Sequence, residues 1–320
     1  MYGNVRRSHK YIVRLHDYIY REYQIRSNAL TPAKRGYYGE TWRLETATKN
    51  YFIKLDYSPH KEIYKHSFPV MEHLRKHGID CISRIVKNVN GEFFGDFESA
   101  VIGVFEWIDG ENIQDEQTKI EEYNILGKVY TVPINGIRIK RDIFSTAQAD
   151  LFYRLWNKLK RDSSNKNSAI ISSVFERHSG EIKHCAERLA LFADRCKPDK
   201  SHFYITHGDA GGNVIVNDGK FYMVDWDDPR IAPPERDAWF CMHWNWAVAT
   251  FNQALKNNGI DYSLRIERMA YYCYYYFFFY LTEFLHTYFD LGKRKVADEI
   301  SKYFNCWIMD NIRYDDNIKL

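Results

Sequence analysis

His207-Gly208-Asp209-Ala210-Gly211-Gly212-Asn213, followed by Met223-Val224-Asp225-Trp226-Asp227, brings three metal-seeking or proton-accepting side chains within twenty residues. The apolar runs on either side, Phe203-Tyr204-Ile205 and Val214-Ile215-Val216, predict short strands. Asn217-Asp218-Gly219 predicts a tight turn, and Phe221-Tyr222-Met223-Val224 the return strand. Both aspartates therefore stand at strand ends on a rigid hairpin and face one pocket.

That arrangement suits phosphoryl transfer. The transferred group carries charge on its equatorial oxygens, so catalysis is alignment plus cations, and the cations need hard oxygen ligands. Asp225 and the amide oxygen of Asn213 suit Mg²⁺. Asp209, one strand end away, can orient an attacking hydroxyl and accept its proton as the P–O bond forms, which makes it the expected catalytic base.

Composition narrows the alternatives. A chain of 320 residues, 45% hydrophobic, buries a large core and has the length of two lobes. A net charge of +3 with 27% charged residues gives no broad phosphate-tracking surface, so nucleic acid is not an expected partner and a small molecule is. The six cysteines are scattered with no CxxC spacing, as thiols in a reducing cytoplasm are. Arg14, His16 and Asp17 interrupt any apolar stretch behind the basic N-terminus, so no secretion signal is expected. The aromatic run from Met269 to Thr282 is closed by Arg268 and Glu283 and is too short to span a membrane. It predicts a buried helix whose phenols face a polar cleft.

His207-Gly208-Asp209 with Asn213, then Asp225, resembles the catalytic loop and metal-binding Asp of the aminoglycoside phosphotransferase and choline kinase family, which shares the protein-kinase-like fold. The run from Val224 through Asp228-Pro229 to Ala232-Pro233-Pro234-Glu235-Arg236-Asp237 is most similar to the spectinomycin phosphotransferase branch. The resemblance implies an α+β, two-lobed fold. Residues 1–109 would form a nucleotide-binding lobe with an antiparallel sheet, and 110–320 a mainly helical lobe with the catalytic hairpin and substrate pocket. The family leaves four residues between the loop Asp and the Asn, whereas Ala210, Gly211 and Gly212 make three. Either glycine can absorb the shortening by taking a positive φ.

The rest of the chain is consistent with this. Ser8 is a plausible N-cap for a helix carrying Tyr11, Ile12, Leu15, Ile19 and Tyr23, and strands are expected at 28–30, 41–45, 51–55 and 99–105, with Ile82, Ile85, Val86 and 92–94 supplying others. Gly36-Tyr37-Tyr38-Gly39-Glu40-Thr41 can form a flap over phosphates, so Gly36, Gly39 and Thr41 are candidate nucleotide contacts. By the resemblance, Lys54 reaches the α- and β-phosphates. Glu62, which precedes Phe68-Pro69-Val70, is its expected carboxylate partner, with Glu72 as the alternative. The backbone of Phe105 to Ile108 would meet the adenine edge, and His207 would brace the loop. Asp237 would anchor the catalytic loop or cap the next helix. Helices are expected over 120–130, 146–161, 169–197 and 236–255, and again after Leu264.

The expected activity is O-phosphorylation of a small antibiotic of the aminoglycoside or spectinomycin kind, with ATP or GTP and Mg²⁺, by a monomer or homodimer. Such acceptors are cationic and polyhydroxylated, which points to Asp227, Asp228 and Glu283 with Tyr274, Tyr275 and Trp244 as pocket walls. A metabolic kinase of choline, a sugar or an amino alcohol, and a non-catalytic nucleotide-binding regulator, remain alternatives. A protein kinase of the eukaryotic type is disfavoured, since no Arg follows His207 and no Phe-Gly follows Asp225.

Overall fold

Ser8 accepts a hydrogen bond from Tyr11 N at 3.3 Å and so starts α1 (His9–Tyr23), whose buried stripe of Tyr11, Leu15, Ile19 and Tyr23 repeats at helical spacing. The computed structural model describes residues 7–33, 39–57, 61–162, 166–291 and 296–318. They fall into two compact units, Met1–Lys140 with Tyr204–Ile231, and Arg141–Phe203 with Ala232–Leu320.

In the first unit, β1 (Ala29–Pro32), β2 (Glu40–Glu45) and β3 (Asn50–Asp56) are joined by α2 (Lys61–Lys76) to β4 (Gly95–Phe97) and β5 (Ala100–Glu106). All neighbours are antiparallel, in the order β1-β2-β3-β5-β4. Alternation along β3 divides the work of its two faces. Ile53 and Leu55, paired with Val104 and Ile102, are buried in one core with the α1 stripe. Lys54, paired with Gly103, points the other way, to the face where Phe68 of α2 packs. A methyl group at position 103 would lie 2.8 Å from the Phe68 ring, so glycine here lets α2 close on the sheet. Gly39 has a similar reason, since a methyl there would lie 2.0 Å from Leu55 O.

Beyond β5 come α3 (Glu116–Tyr130), capped by Asp115 accepting from Thr118 N at 2.8 Å, and then β6 (Tyr204–Thr206), β7 (Val214–Asn217), β8 (Lys220–Met223) and β9 (Arg230–Ala232). β7 and β8 form the expected hairpin, with Asp218 and Gly219 both at positive φ (47° and 73°) as a type I′ turn requires. β6 pairs with β9. The division between units does not coincide with the lobe boundary expected after Asp109-Gly110. Glu111 bridges to Val216, and α3 packs on β6, β7 and β8, so the linker and hairpin group with the sheet.

The second unit is helical: α4 (Ala147–Arg161), α5 (Lys166–Arg177), α6 (Ser179–Cys196), α7 (Glu235–Ala238), a 3₁₀ turn (Trp239–Cys241), α8 (Asn245–Asn257), α9 (Ile266–Leu291), α10 (Val296–Tyr303) and α11 (Trp307–Ile318). Two expected helices are each split. The one over 169–197 breaks at His178 (φ −101°, ψ 16°), ahead of Ser179-Gly180, two weak helix formers. The one over 236–255 breaks at the 3₁₀ turn, where Trp239 stacks on Tyr276 with ring centroids 4.9 Å apart, and at Trp244, which is extended. α9 is the aromatic helix, buried on all sides from Met269 to Phe278. Three of its phenols are tied into the helical packing instead of facing a polar cleft: Tyr271 donates to Ser145 O, Tyr272 to Asp142 and Tyr274 to Asp315. Among the described residues no helix is long and apolar enough to cross a membrane.

Candidate active site

Lys54 Nζ donates to Asp225 Oδ1 at 2.6 Å and to Asp227 Oδ2 at 2.5 Å, and lies 5.0 Å from the Tyr64 ring centroid. Tyr64 of α2 donates its hydroxyl to Asp227 Oδ2 at 3.1 Å. The two carboxylates converge because Asp225 sits at φ +66°, a left-handed bend that lets Asp227 N donate to Asp225 O at 2.9 Å. Lys54 is 11% exposed while the Asp225 and Asp227 side chains are 42% and 34% exposed, so the ammonium closes the bottom and the oxygens look outward.

Charge follows this geometry. Burial alone would lower the Lys54 ammonium, but the two carboxylates outweigh it and hold the pKa above the ordinary lysine value. Burial pushes Asp225 up, yet the Lys54 charge and hydrogen bond bring it below the usual carboxylate range. Asp227 goes the other way, raised first by burial and then by the Asp225 charge, with the Lys54 charge and hydrogen bond pulling against them.

Asp209 follows β6 and shares this field. It is solvent-exposed at the rim, but the protein atoms around it still lift its carboxyl above the ordinary value; the Asp225 charge adds to the lift while His207 and Asn213 pull against it. Asn213 Nδ2 donates to Asp209 O at 2.8 Å and Asp209 Oδ2 at 3.1 Å. The shortened loop thus still brings the Asn to the Asp. Its missing residue is made up by Gly211 and Gly212 at φ 110° and 144°. His207 is fully buried between the two aspartate segments: Nδ1 accepts from Asp209 N at 3.2 Å, and Nε2 donates to Val224 O at 2.9 Å. Those bonds fix the ring with its proton on Nε2, against Trp226 at 4.6 Å between centroids.

Other sequence expectations fare differently. Glu62 does not reach Lys54: it lies in the first turn of α2, is 61% exposed and pairs with Lys65 at 3.0 Å. Glu72 pairs with Arg75 at 3.0 Å. The side chain that α2 presents to the lysine is Tyr64. Gly36 lies outside the described residues; Thr41 is buried in β2 opposite Lys54. The amides of Glu106 and Trp107 are engaged by Arg84 O and Asn50 O, so neither is open to a purine edge. Asp228 pairs with Arg230 at 2.7 Å. Glu283 is buried in α9, Asp237 is buried in α7, and Tyr274, bonded to Asp315, belongs to the helical core rather than to a pocket wall. Tyr275 is also buried, whereas Trp244 is exposed.

The donors on offer to a metal are the outward oxygens of Asp225 and Asp227 and the Asn213 amide oxygen. Among the described residues no group of three His, Cys, Asp or Glu side chains is placed to hold an ion alone. Two carboxylates and an amide fit Mg²⁺, which takes one or two protein carboxylates and completes its shell with phosphate and water.

A family profile described as a phosphotransferase enzyme family matches residues 29–272, most of the chain and every residue of this cluster. The chain belongs to that family. It is a phosphotransferase that delivers phosphate to a hydroxyl group. A comparison with curated proteins finds no match. Among solved structures, this phosphotransferase is similar to the spectinomycin phosphotransferase APH(9)-Ia in complex with ADP and spectinomycin, at 19% identity over 94% of this chain and 97% of the other, with a TM-score of 0.77. It is similar to the aminoglycoside phosphotransferase APH(4)-Ia with AMP-PNP and hygromycin B at 14% identity, 92% and 97% coverage and a TM-score of 0.58. The macrolide 2′-phosphotransferase MphH from Brachybacterium faecium follows at 12%, 92% and 98%, and 0.57. The phosphotransferase fold is therefore the kinase-like one that the sequence implied.

Proposed function

We propose that this phosphotransferase uses Mg²⁺ with ATP, or GTP, to phosphorylate a hydroxyl of a small antibiotic of the aminoglycoside or spectinomycin kind. The observation that carries the reading is the convergence of Lys54, Asp225 and Asp227 beside the Asp209–Asn213 pair. Asp209 takes the proton of the acceptor hydroxyl as its oxygen bonds to the terminal phosphorus and the nucleoside diphosphate leaves. Its raised carboxyl suits it to that transfer. Lys54 would give up its carboxylate partners to bind phosphate oxygens, and Asp225 with Asn213 would hold a Mg²⁺ that would supply positive charge against the phosphates. The retained Asn213–Asp209 contact supports turnover over a purely nucleotide-binding role. The neighbours bound to spectinomycin and hygromycin B support an antibiotic acceptor.

The test is a panel of aminoglycosides, spectinomycin, a macrolide and choline, incubated with Mg·ATP or Mg·GTP and read by mass spectrometry for a phosphate adduct. An adduct on an antibiotic is expected. An adduct on choline alone replaces the acceptor class, and nucleotide binding with no adduct on any acceptor overturns the reading.

A further inference from the structure

The loop that carries Asp209 and Asn213 is held from behind by residues that follow β5. Gly110, at φ 136°, approaches β7 so closely that a methyl group there would lie 2.3 Å from Val216 O. Glu111 and Val216 exchange both backbone hydrogen bonds, at 3.0 and 2.8 Å. Asn112 Nδ2 donates to Gly212 O, and Gln114 Nε2 donates to the same carbonyl at 3.3 Å and to Asn112 Oδ1 at 2.5 Å. From α3, Glu122 reaches in with its side chain 2% exposed: Oε1 accepts the Gly211 N–H, and Oε2 accepts from Lys119 Nζ at 2.8 Å.

A bend of two adjacent glycines, here at φ 110° and 144°, has wide conformational freedom, so contacts from outside the loop are needed to select one path. A buried acceptor oxygen on a rigid helix can do this, because a hydrogen bond to one amide selects a single orientation of the peptide. We propose that Glu122 is a positioning residue: by fixing the Gly211 amide it sets the direction in which Asp209 and Asn213 present their side chains. This rests on the roles given to Asp209 and Asn213 above. The competing role is structural, in which Glu122 serves only to neutralise Lys119.

Three variants separate the two. E122Q keeps an acceptor for the Gly211 N–H and loses the negative charge beside Lys119. E122D keeps the charge beside Lys119 and is one methylene short of Gly211. E122A loses both. Two measurements are made: ADP formation from Mg·ATP with and without spectinomycin, and hydrogen exchange of the Gly211 amide. E122D and E122A should lose about 10- to 100-fold in kcat, the cost of a reacting group displaced by about an ångström, while the KM for ATP stays within about 3-fold and E122Q stays near wild type. Gly211 exchange should accelerate in E122D and E122A and not in E122Q. If E122A does not fold, E122D against E122Q carries the comparison. Wild-type kcat and exchange in E122D would overturn the proposal, as would an E122Q as impaired as E122D. If the wild-type chain turns over no nucleotide, the functional reading fails and Gly211 exchange alone decides the clamp.

Discussion

Lys54 is already held by two carboxylates at 2.5 and 2.6 Å, so on the proposed reading an incoming phosphate would compete with them for the ammonium and a bound cation would favour the exchange. Asp225→Ala removes the group that makes this exchange possible. Mg·ATP affinity should fall by at least about 10-fold, the lower end of what losing even an outer partner of a metal ligand costs. Calorimetric titration with and without Mg²⁺ checks it, and an unaltered metal dependence would refute the assignment. Asp209 touches none of these three charged groups by hydrogen bond and is bonded instead to Asn213. Asp209→Asn should therefore leave ATP binding nearly unchanged and cut kcat by about 10²–10⁴, the range of a lost general base. Weakened binding with intact turnover of bound substrate would contradict that role.

At the scale of elements, the contact of α2 with β5 transmits packing to the site. Phe68 lies over Gly103, Tyr64 stacks on Phe68 with planes 8° apart, and Tyr64 holds Asp227. Gly103→Val drives a branched side chain into the Phe68 ring. The expected destabilisation is about 1–3 kcal/mol, as for other overpacked cores, and displacement of Tyr64 should raise the KM for ATP. Urea unfolding at unchanged m-value and initial-rate kinetics measure the two effects; loss of stability with an unchanged KM would detach Tyr64 from the nucleotide site. The same helix shows what the sequence could and could not say. Hairpin β7–β8 was legible because Asp218-Gly219 is one of few pairs that tolerate two positive φ angles. The wrong partner for Lys54 came from counting residues along α2 instead of reading its faces. Tyr64, Phe68, Met71 and Leu74 form its buried stripe, and Glu62, two residues before Tyr64, is rotated about 200° to the opposite side. That stripe would have picked out Tyr64. The pairing of Asp227 with Lys54 was not legible, because it depends on Asp225 taking φ +66°, which a non-glycine residue adopts only when its surroundings enforce it. The break at Trp239–Cys241 was hidden as well, since aromatic stacking in the folded chain outweighs helix propensity.

For the molecule as a whole, acid stability depends on which carboxylates gain and which lose by folding. In the helical unit Asp199 accepts from Ser201 N at 2.9 Å and Ser201 Oγ at 2.5 Å and pairs with Arg265 and with Arg268, which is 2% exposed. The Ser201 hydrogen bonds first, and then the arginines, hold its carboxyl far below the ordinary range. Its contribution is therefore fully present above the unfolded-state pKa of about 3.9, and is lost as pH falls through the folded value. Glu235 has the opposite sign: burial raises its carboxyl, so the folded chain binds that proton more readily, and its effect lies at pH values above about 4.5. Below pH 4 the two are separable. Asp199→Asn leaves the buried Arg268 with backbone carbonyls but without its ion-pair partner. A loss of about 1–2 kcal/mol is expected at pH 7, less than for a fully buried pair because a third of the Asp199 side chain meets water. In D199N the fall of the urea midpoint below pH 4 should be shallower than in the wild-type chain, so the two curves converge in acid. Parallel curves down to pH 2.5 would show that Asp199 carries no linked proton and that its partners serve geometry alone.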